Sequence, residues 1–152
     1  MTSIERQKRM KTIDQFFPAF TNAQIVHDFF GWWPTLHDSE VIEILLDREF
    51  GFDFTGPKLR LTLYLPQGSK LVLLFENIEL DYITDFNYQN AMADFLMETY
   101  DRLNQNRYRV KFGEFGAMVE FTCAKVSVLS IESFTPADYF GTEGKQKIEQ
   151  ES

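Results

Sequence analysis

The chain has 152 residues, 44% of them hydrophobic and 25% charged, the balance of one globular domain with a core of its own. No apolar run approaches the roughly 20 residues of a membrane-spanning helix, and polar Met1–Lys11 lacks the apolar centre of a signal peptide. A single cysteine, Cys123, excludes an internal disulfide, so the expected setting is the cytoplasm. The net charge is −8, unevenly spread: Arg6, Lys8, Arg9 and Lys11 against Glu5 give the first 13 residues +3, which leaves −11 for the rest. A body this acidic repels phosphate backbones, which argues against nucleic acid, and the short basic run at the N-terminus, without an aromatic face, reads as solvated and not as a contact for nucleic acid or membrane. It suits a basic partner, or serves solubility alone.

In chain order, Ile4–Lys11 is charged and compatible with a short helix, and Ile13–Phe20 is apolar but broken by Pro18. Thr21 or Asn22 can cap a following helix, in which Ile25, Val26, Phe29 and Phe30 form one apolar stripe and Gly31 provides the stop. Trp32-Trp33-Pro34 then makes a bulky corner, because Pro34 fixes its own backbone and drives Trp33 into an extended conformation. The corner should brace a helical arm against a β body.

Within Ser39–Phe50 the β-branched residues favour a strand ended by Gly51. Leu59, Leu61, Leu63 and Leu65 alternate strictly with polar residues, which marks a half-buried strand. Pro66-Gln67-Gly68-Ser69 is turn chemistry, Leu71–Phe75 is apolar on both faces like a central strand, and Glu76 or Asn77 marks a break. Ile78, Leu80 and Tyr82 alternate with Glu79 and Asp81, and Asp85–Asn90 reads as a loop. In Ala91–Leu103 the apolar residues follow a helical period. Tyr108–Phe112, Ala117–Cys123 and Val126–Phe134 read as strands, the first two joined through Gly113-Glu114-Phe115-Gly116. The expected fold is α+β: a helical arm over 1–31, a mostly antiparallel sheet of about six to eight strands over 38–134, and a polar tail over 135–152, in which Gly141–Ser152 reads as disordered or loosely attached.

Three catalytic readings can be weighed. His37-Asp38, echoed by His27-Asp28, has the residue types of a metal pair, and with Glu40 it could form part of a Zn²⁺ or Mn²⁺ site. Two histidines in the whole chain are few ligands for such a site, and a structural role at the corner accounts for them equally well. His37-Asp38-Ser39 cannot act as a triad, since adjacent residues of an extended chain point to different sides. Cys123 lies in an expected strand, flanked by Phe121 and Ala124 with no base beside it, and reads as a small buried hydrophobe.

Trp33-Pro34-Thr35-Leu36-His37-Asp38-Ser39-Glu40-Val41 resembles the W-P-x-F-H-D-A-E-V hallmark of the Immunity protein 50 family of bacterial polymorphic toxin systems. Phe86-Asn87-Tyr88-Gln89-Asn90 is similar to that family's F-N-x-Q-N segment, and Gly116, Phe121-Thr122-Cys123 and Val126 to its closing strands. Leu36 stands where the family has an aromatic residue and Ser39 where it has alanine. The resemblance covers about Ile25–Phe134. It implies an antidote that binds and blocks a toxin domain, with no catalysis and no cofactor, and it implies a strand over Ala93–Asp101 in place of the helix. Trp33, Pro34, His37, Asp38 and Glu40 then form a structural motif.

A cationic toxin would be met by carboxylates on the solvent side of the sheet. The candidates are Glu43, Asp47, Glu79 and Asp81, because their neighbours Ile42, Ile44, Leu46, Ile78, Leu80 and Tyr82 alternate with them and should face the core. Tyr64, Tyr82 and Phe115 are the nearest aromatic anchors at exposed or loop positions. The alternative is a small metal-dependent enzyme or ligand-binding domain built on His37, Asp38 and Glu40.

Overall fold

A computed structural model describes residues 10–48, 56–86, 90–99, 107–114 and 116–134. Among them nine strands form two sheets: β1 (Lys11–Thr12), β2 (Glu40–Asp47), β3 (Lys58–Leu65), β4 (Ser69–Glu76), β5 (Glu79–Thr84), β6 (Phe95–Thr99), β7 (Tyr108–Phe112), β8 (Met118–Cys123) and β9 (Lys125–Ser133). The five-stranded sheet has the order β1-β6-β7-β8-β5 and the four-stranded sheet β2-β3-β4-β9. Every pairing between these strands is antiparallel. The broad α+β expectation holds, with two sheets in place of one.

The strict leucine alternation of β3 does what its period requires: Leu59, Leu61, Leu63 and Leu65 are fully buried on one side. Leu71, Leu73 and Phe75 from the interior strand β4 join them on that side. Each such side chain contributes roughly 1.5–3 kcal/mol on burial. Phe75 meets the five-stranded sheet directly, stacked on Phe95 at 6.3 Å and edge-on to Phe121 at 5.0 Å. Phe95 stacks in turn on Phe112 at 4.9 Å. The two sheets therefore pack face to face around an aromatic centre.

One antiparallel ribbon passes through both sheets. Glu76 of β4 pairs with Lys125 of β9, and three residues further along each strand Glu79 of β5 pairs with Thr122 of β8. The register is unchanged across the bend. Asn77, in the left-handed region at φ 54°, and Ala124 turn the two strands together, and the Ala124 amide donates to the Glu76 carbonyl at 3.0 Å. The break expected at Glu76 or Asn77 is this bend.

The helical arm is corrected. Pro18 divides Ile13–Phe20 into two single 3₁₀ turns, Ile13–Gln15 and Phe17–Ala19, and α1 is a seven-residue helix over Gln24–Phe30. Its N-cap is Ala23, because Thr21 is occupied elsewhere: its amide donates to Val126 and its carbonyl accepts from Val128, which adds it to the free edge of β9. With β1 on the edge of β6, the arm runs from an edge of one sheet to an edge of the other and covers the apolar rim with Phe17, Phe20 and Val26. The helix stop is as expected, with Gly31 at φ 82° and its amide bonded to the His27 carbonyl at 2.7 Å. Ile4–Arg9, Gly51 and the tail from Thr135 lie outside the described residues.

The helical period of Ala91–Leu103 misleads. Phe95–Thr99 is strand β6, with Phe95 and Met97 buried on one face and Glu98 on the other. Two bulges also break the expected alternation. Between Val41 and Glu43 the register shifts, so Ile42 turns to the outer side with Glu43 while Val41 and Ile44 face the core. Between Leu80 and Tyr82 the same happens at Asp81, so Tyr82 shares the outer face with its partner Glu120. Leu46 and Leu80 lie at sheet edges and remain 47% and 39% exposed.

Candidate functional site

Residues directly paired across strands share a face, which sorts the expected binding residues. Glu43, Asp47 and Tyr64 lie on the outer face of the four-stranded sheet, through their pairings with Thr62, Lys58 and Lys70 or Glu40. Glu79, Asp81 and Tyr82 lie on the outer face of the five-stranded sheet. The two groups are therefore on opposite sides of the sandwich and cannot act as one surface. Phe115 lies outside the described residues.

The outer face of the four-stranded sheet is close to electrically balanced. Glu40, Glu43, Asp47, Glu76 and Glu132 are interleaved with Lys58, Arg60, Lys70 and Lys125. Glu43 is held by Arg60 at 3.2 Å, and Lys70 lies 3.9 Å from Glu132. Tyr64 is packed edge-on against Phe134 at 4.7 Å. A shallow depression of about 530 Å³ crosses this face, lined among others by Ile42, Val72 and Leu129.

The five-stranded sheet differs. Arg109 of β7 is only 7% exposed and draws in carboxylates from three other strands. Its Nη1 donates to Asp81 and, at 3.0 Å, to Glu120, and Glu98 lies 3.8 Å from its Nε. Glu79 and Lys111 share this outer face. Four carboxylates against two cations leave it negative. The field is felt by Tyr82, whose phenol is raised above its ordinary 10.0, first by partial burial and then by Glu120 and Asp81. Arg109, Glu98 and Glu120 were not singled out in the sequence. The alternations of Tyr108-Val110-Phe112 and Val119-Phe121 do point Arg109 and Glu120 outward, but their convergence depends on a register that only the fold supplies.

At the corner, Trp33 is half-buried, stacked on Phe17 at 5.9 Å and against His27 at 4.9 Å, both residues of the N-terminal segment. Trp32 touches Phe30 at 5.9 Å and is 56% exposed. Pro34 and Leu36 are buried. Leu36 and Asp38 both adopt positive φ, at 64° and 63°, a conformation that costs a non-glycine residue on the order of 1 kcal/mol. It is held by pairing with a distant segment: Asp38 donates to the Met92 carbonyl, Met92 to Ser39 and Val41 to Asn90, each at 2.9 Å. His37 Nδ1 lies 3.1 Å from Asp38 and its Nε2 4.0 Å from Asp94, all three side chains being exposed. The side chains of His37 and Asp38 thus pair with each other at the surface and leave the backbone pairing to main-chain groups.

Glu40 begins β2 opposite Tyr64 and Ala91. His27 is turned to Trp33 and Asp28 accepts from Gln24, so the second His-Asp pair does not join the first. Among the described residues no group of three or more His, Cys, Asp or Glu is arranged to hold a metal ion. Cys123 is fully buried, and burial pushes its thiol up to about 12, far from a reactive thiolate. Among the described residues no helix is long and apolar enough to cross a membrane.

Comparison of the chain with protein-family models, with characterised proteins and with solved structures returned no match.

Proposed function

We propose that this chain is an immunity-type protein, a bacterial cytoplasmic antidote that binds a cationic toxin domain and blocks it by occlusion. The observation that carries the reading is the Arg109 cluster, which holds three carboxylates in fixed positions on a rigid sheet and leaves that face negative. Preset charges of one sign steer a partner of the other sign and suppress wrong partners. The Trp33–Val41 resemblance to immunity proteins supports the same reading. The docking face is then the outer side of the five-stranded sheet, with Glu79, Asp81, Glu98 and Glu120 as its charges and Tyr82 as its aromatic residue. Glu43, Asp47 and Tyr64, on the more nearly balanced face, are withdrawn from it.

The test is association with the toxin domain encoded beside this chain, measured across ionic strength. Glu79→Lys should slow association several-fold at low salt and flatten its salt dependence, since exposed charges act over about 8 Å at physiological ionic strength. Glu43→Lys, on the opposite face, should leave the rate unchanged. Equal rates for both variants and the wild type would remove this face from the interface. No association with the toxin domain would remove the antidote reading itself.

A further inference from the structure

The corner carries a feature that the acidic face does not need. Trp32, Trp33, Pro34, Leu65, Pro66 and Gln67 enclose a pocket of about 160 Å³, with His37 and Ser39 also in its wall. That is well below the roughly 300–1,000 Å³ of sites for drug-sized ligands, and matches one long side chain or a handful of waters at about 30 Å³ each. The walls combine indole, proline and leucine surfaces with polar groups of Thr35, His37, Ser39 and Gln67. Ser39 is fully buried and its Oγ has no hydrogen-bond partner. A buried hydroxyl is normally paired, so this one leaves an acceptor and a donor unused beside the cavity.

Two carboxylates stand behind the His37 wall of the pocket, outside its lining. Asp38 and Asp94 flank the His37 ring, so that two carboxylates meet one imidazole and the group is negative whichever protonation state the ring adopts. No lysine or arginine is in the pocket wall among the described residues. Indole faces attract cations, and arginine is the cation that both stacks on a ring and donates several hydrogen bonds from a flat fork. Exposed Trp32 also has the character of an interface anchor, a class of residue that dominates binding energy where partners meet.

We propose that the Trp32–Trp33–Pro34 pocket is an anchor site for a single arginine side chain of a protein partner. The guanidinium stacks on the indoles, faces the Asp38 and Asp94 carboxylates, and supplies the N–H that Ser39 Oγ lacks. The proposal rests on the reading of the chain as a binder of a basic protein, and it adds a second contact, separate from the Arg109 cluster.

The probe is N-acetyl-arginine methylamide, titrated at low ionic strength into the full chain, with N-acetyl-norleucine methylamide as the apolar control. Indole fluorescence and the two indole N–H signals in a ¹H–¹⁵N spectrum are the readouts. The arginine amide should bind saturably in the millimolar range and shift both indoles, and the norleucine amide should not. Trp32→Ala, at an exposed position, should weaken binding about two- to fivefold. Ser39→Ala and Asp94→Asn should each weaken it as well, with the spectrum otherwise unchanged. Equal binding of the norleucine amide would overturn the proposal, showing a merely apolar pocket. Arginine shifts confined to the Arg109 face would overturn it too. Because the probe needs no toxin, its failure alongside an effect of Glu79→Lys removes only the pocket. Saturable binding without any toxin association keeps the pocket and removes the antidote reading.

Discussion

The two outer faces of the sandwich present five and four carboxylates and differ in what stands between them. On the four-stranded sheet every acid but Glu40 has a basic side chain on a neighbouring strand, in exposed pairs such as Glu43 and Arg60. On the five-stranded sheet three acids converge on the one guanidinium of Arg109, which is itself buried. The first arrangement is a solvated surface whose ion pairs add little. The second concentrates charge on a fixed scaffold and makes that scaffold depend on one residue.

The largest expected effect follows from that dependence. Arg109→Leu should lower unfolding free energy by about 3–5 kcal/mol, because Glu98 and Glu120, each with only 13% of its side chain exposed, would keep their burial and lose their cation. Arg60→Leu should stay within about 0.5 kcal/mol. Urea midpoints for the two variants measure the contrast directly, and equal midpoints would break it.

The corner offers a second contrast. Trp33→Ala should cost about 2–3 kcal/mol, below the full penalty of a wholly enclosed ring, because Trp33 is half-buried against Phe17 and His27. Trp32→Ala should cost less than about 0.5 kcal/mol. Thermal unfolding of both separates a brace from an open contact residue.

The smallest effect sharpens the charge difference. Titrated against a Tyr82→Phe reference, the Tyr82 phenol should ionise above 10.0, and Glu120→Gln should bring it down. A raised folded value means that the unfolded chain releases this proton first, so stability declines as pH climbs past 10.0. An absorbance titration that places Tyr82 at or below the ordinary value would remove the picture of a negative face.

What the sequence disclosed follows the range of the interactions. Leu59–Leu65 is a strand on local period alone, and Gly31 ends its helix by its own backbone freedom. Pro18 was visible as a break, but the chain around it had too few uninterrupted positions for the long arm. The helical spacing of Met92, Phe95 and Leu96 was overridden by pairing with β7, a contact no local window contains. The bulges at Ile42 and Asp81 each shift a phase by one residue, and one residue decides between core and solvent. For the acidic face the limit was different. Alternation shows that a carboxylate points to water but not to which of two opposite waters, and the arginine beneath it belonged to another strand.

The bent ribbon has a consequence for how the chain is made. The last described strand, β9, completes the sheet begun by β2, β3 and β4, and β5, β6, β7 and β8 lie between them in sequence. During synthesis β4 therefore waits with one edge open until β9 has left the ribosome. A transcript truncated before Lys125 yields a molecule fixed in that state, able to pair edge to edge with its copies. The bend that makes the two sheets a single body thus also makes the molecule all-or-none in its manufacture, with the quality of the product decided by Lys125–Ser133.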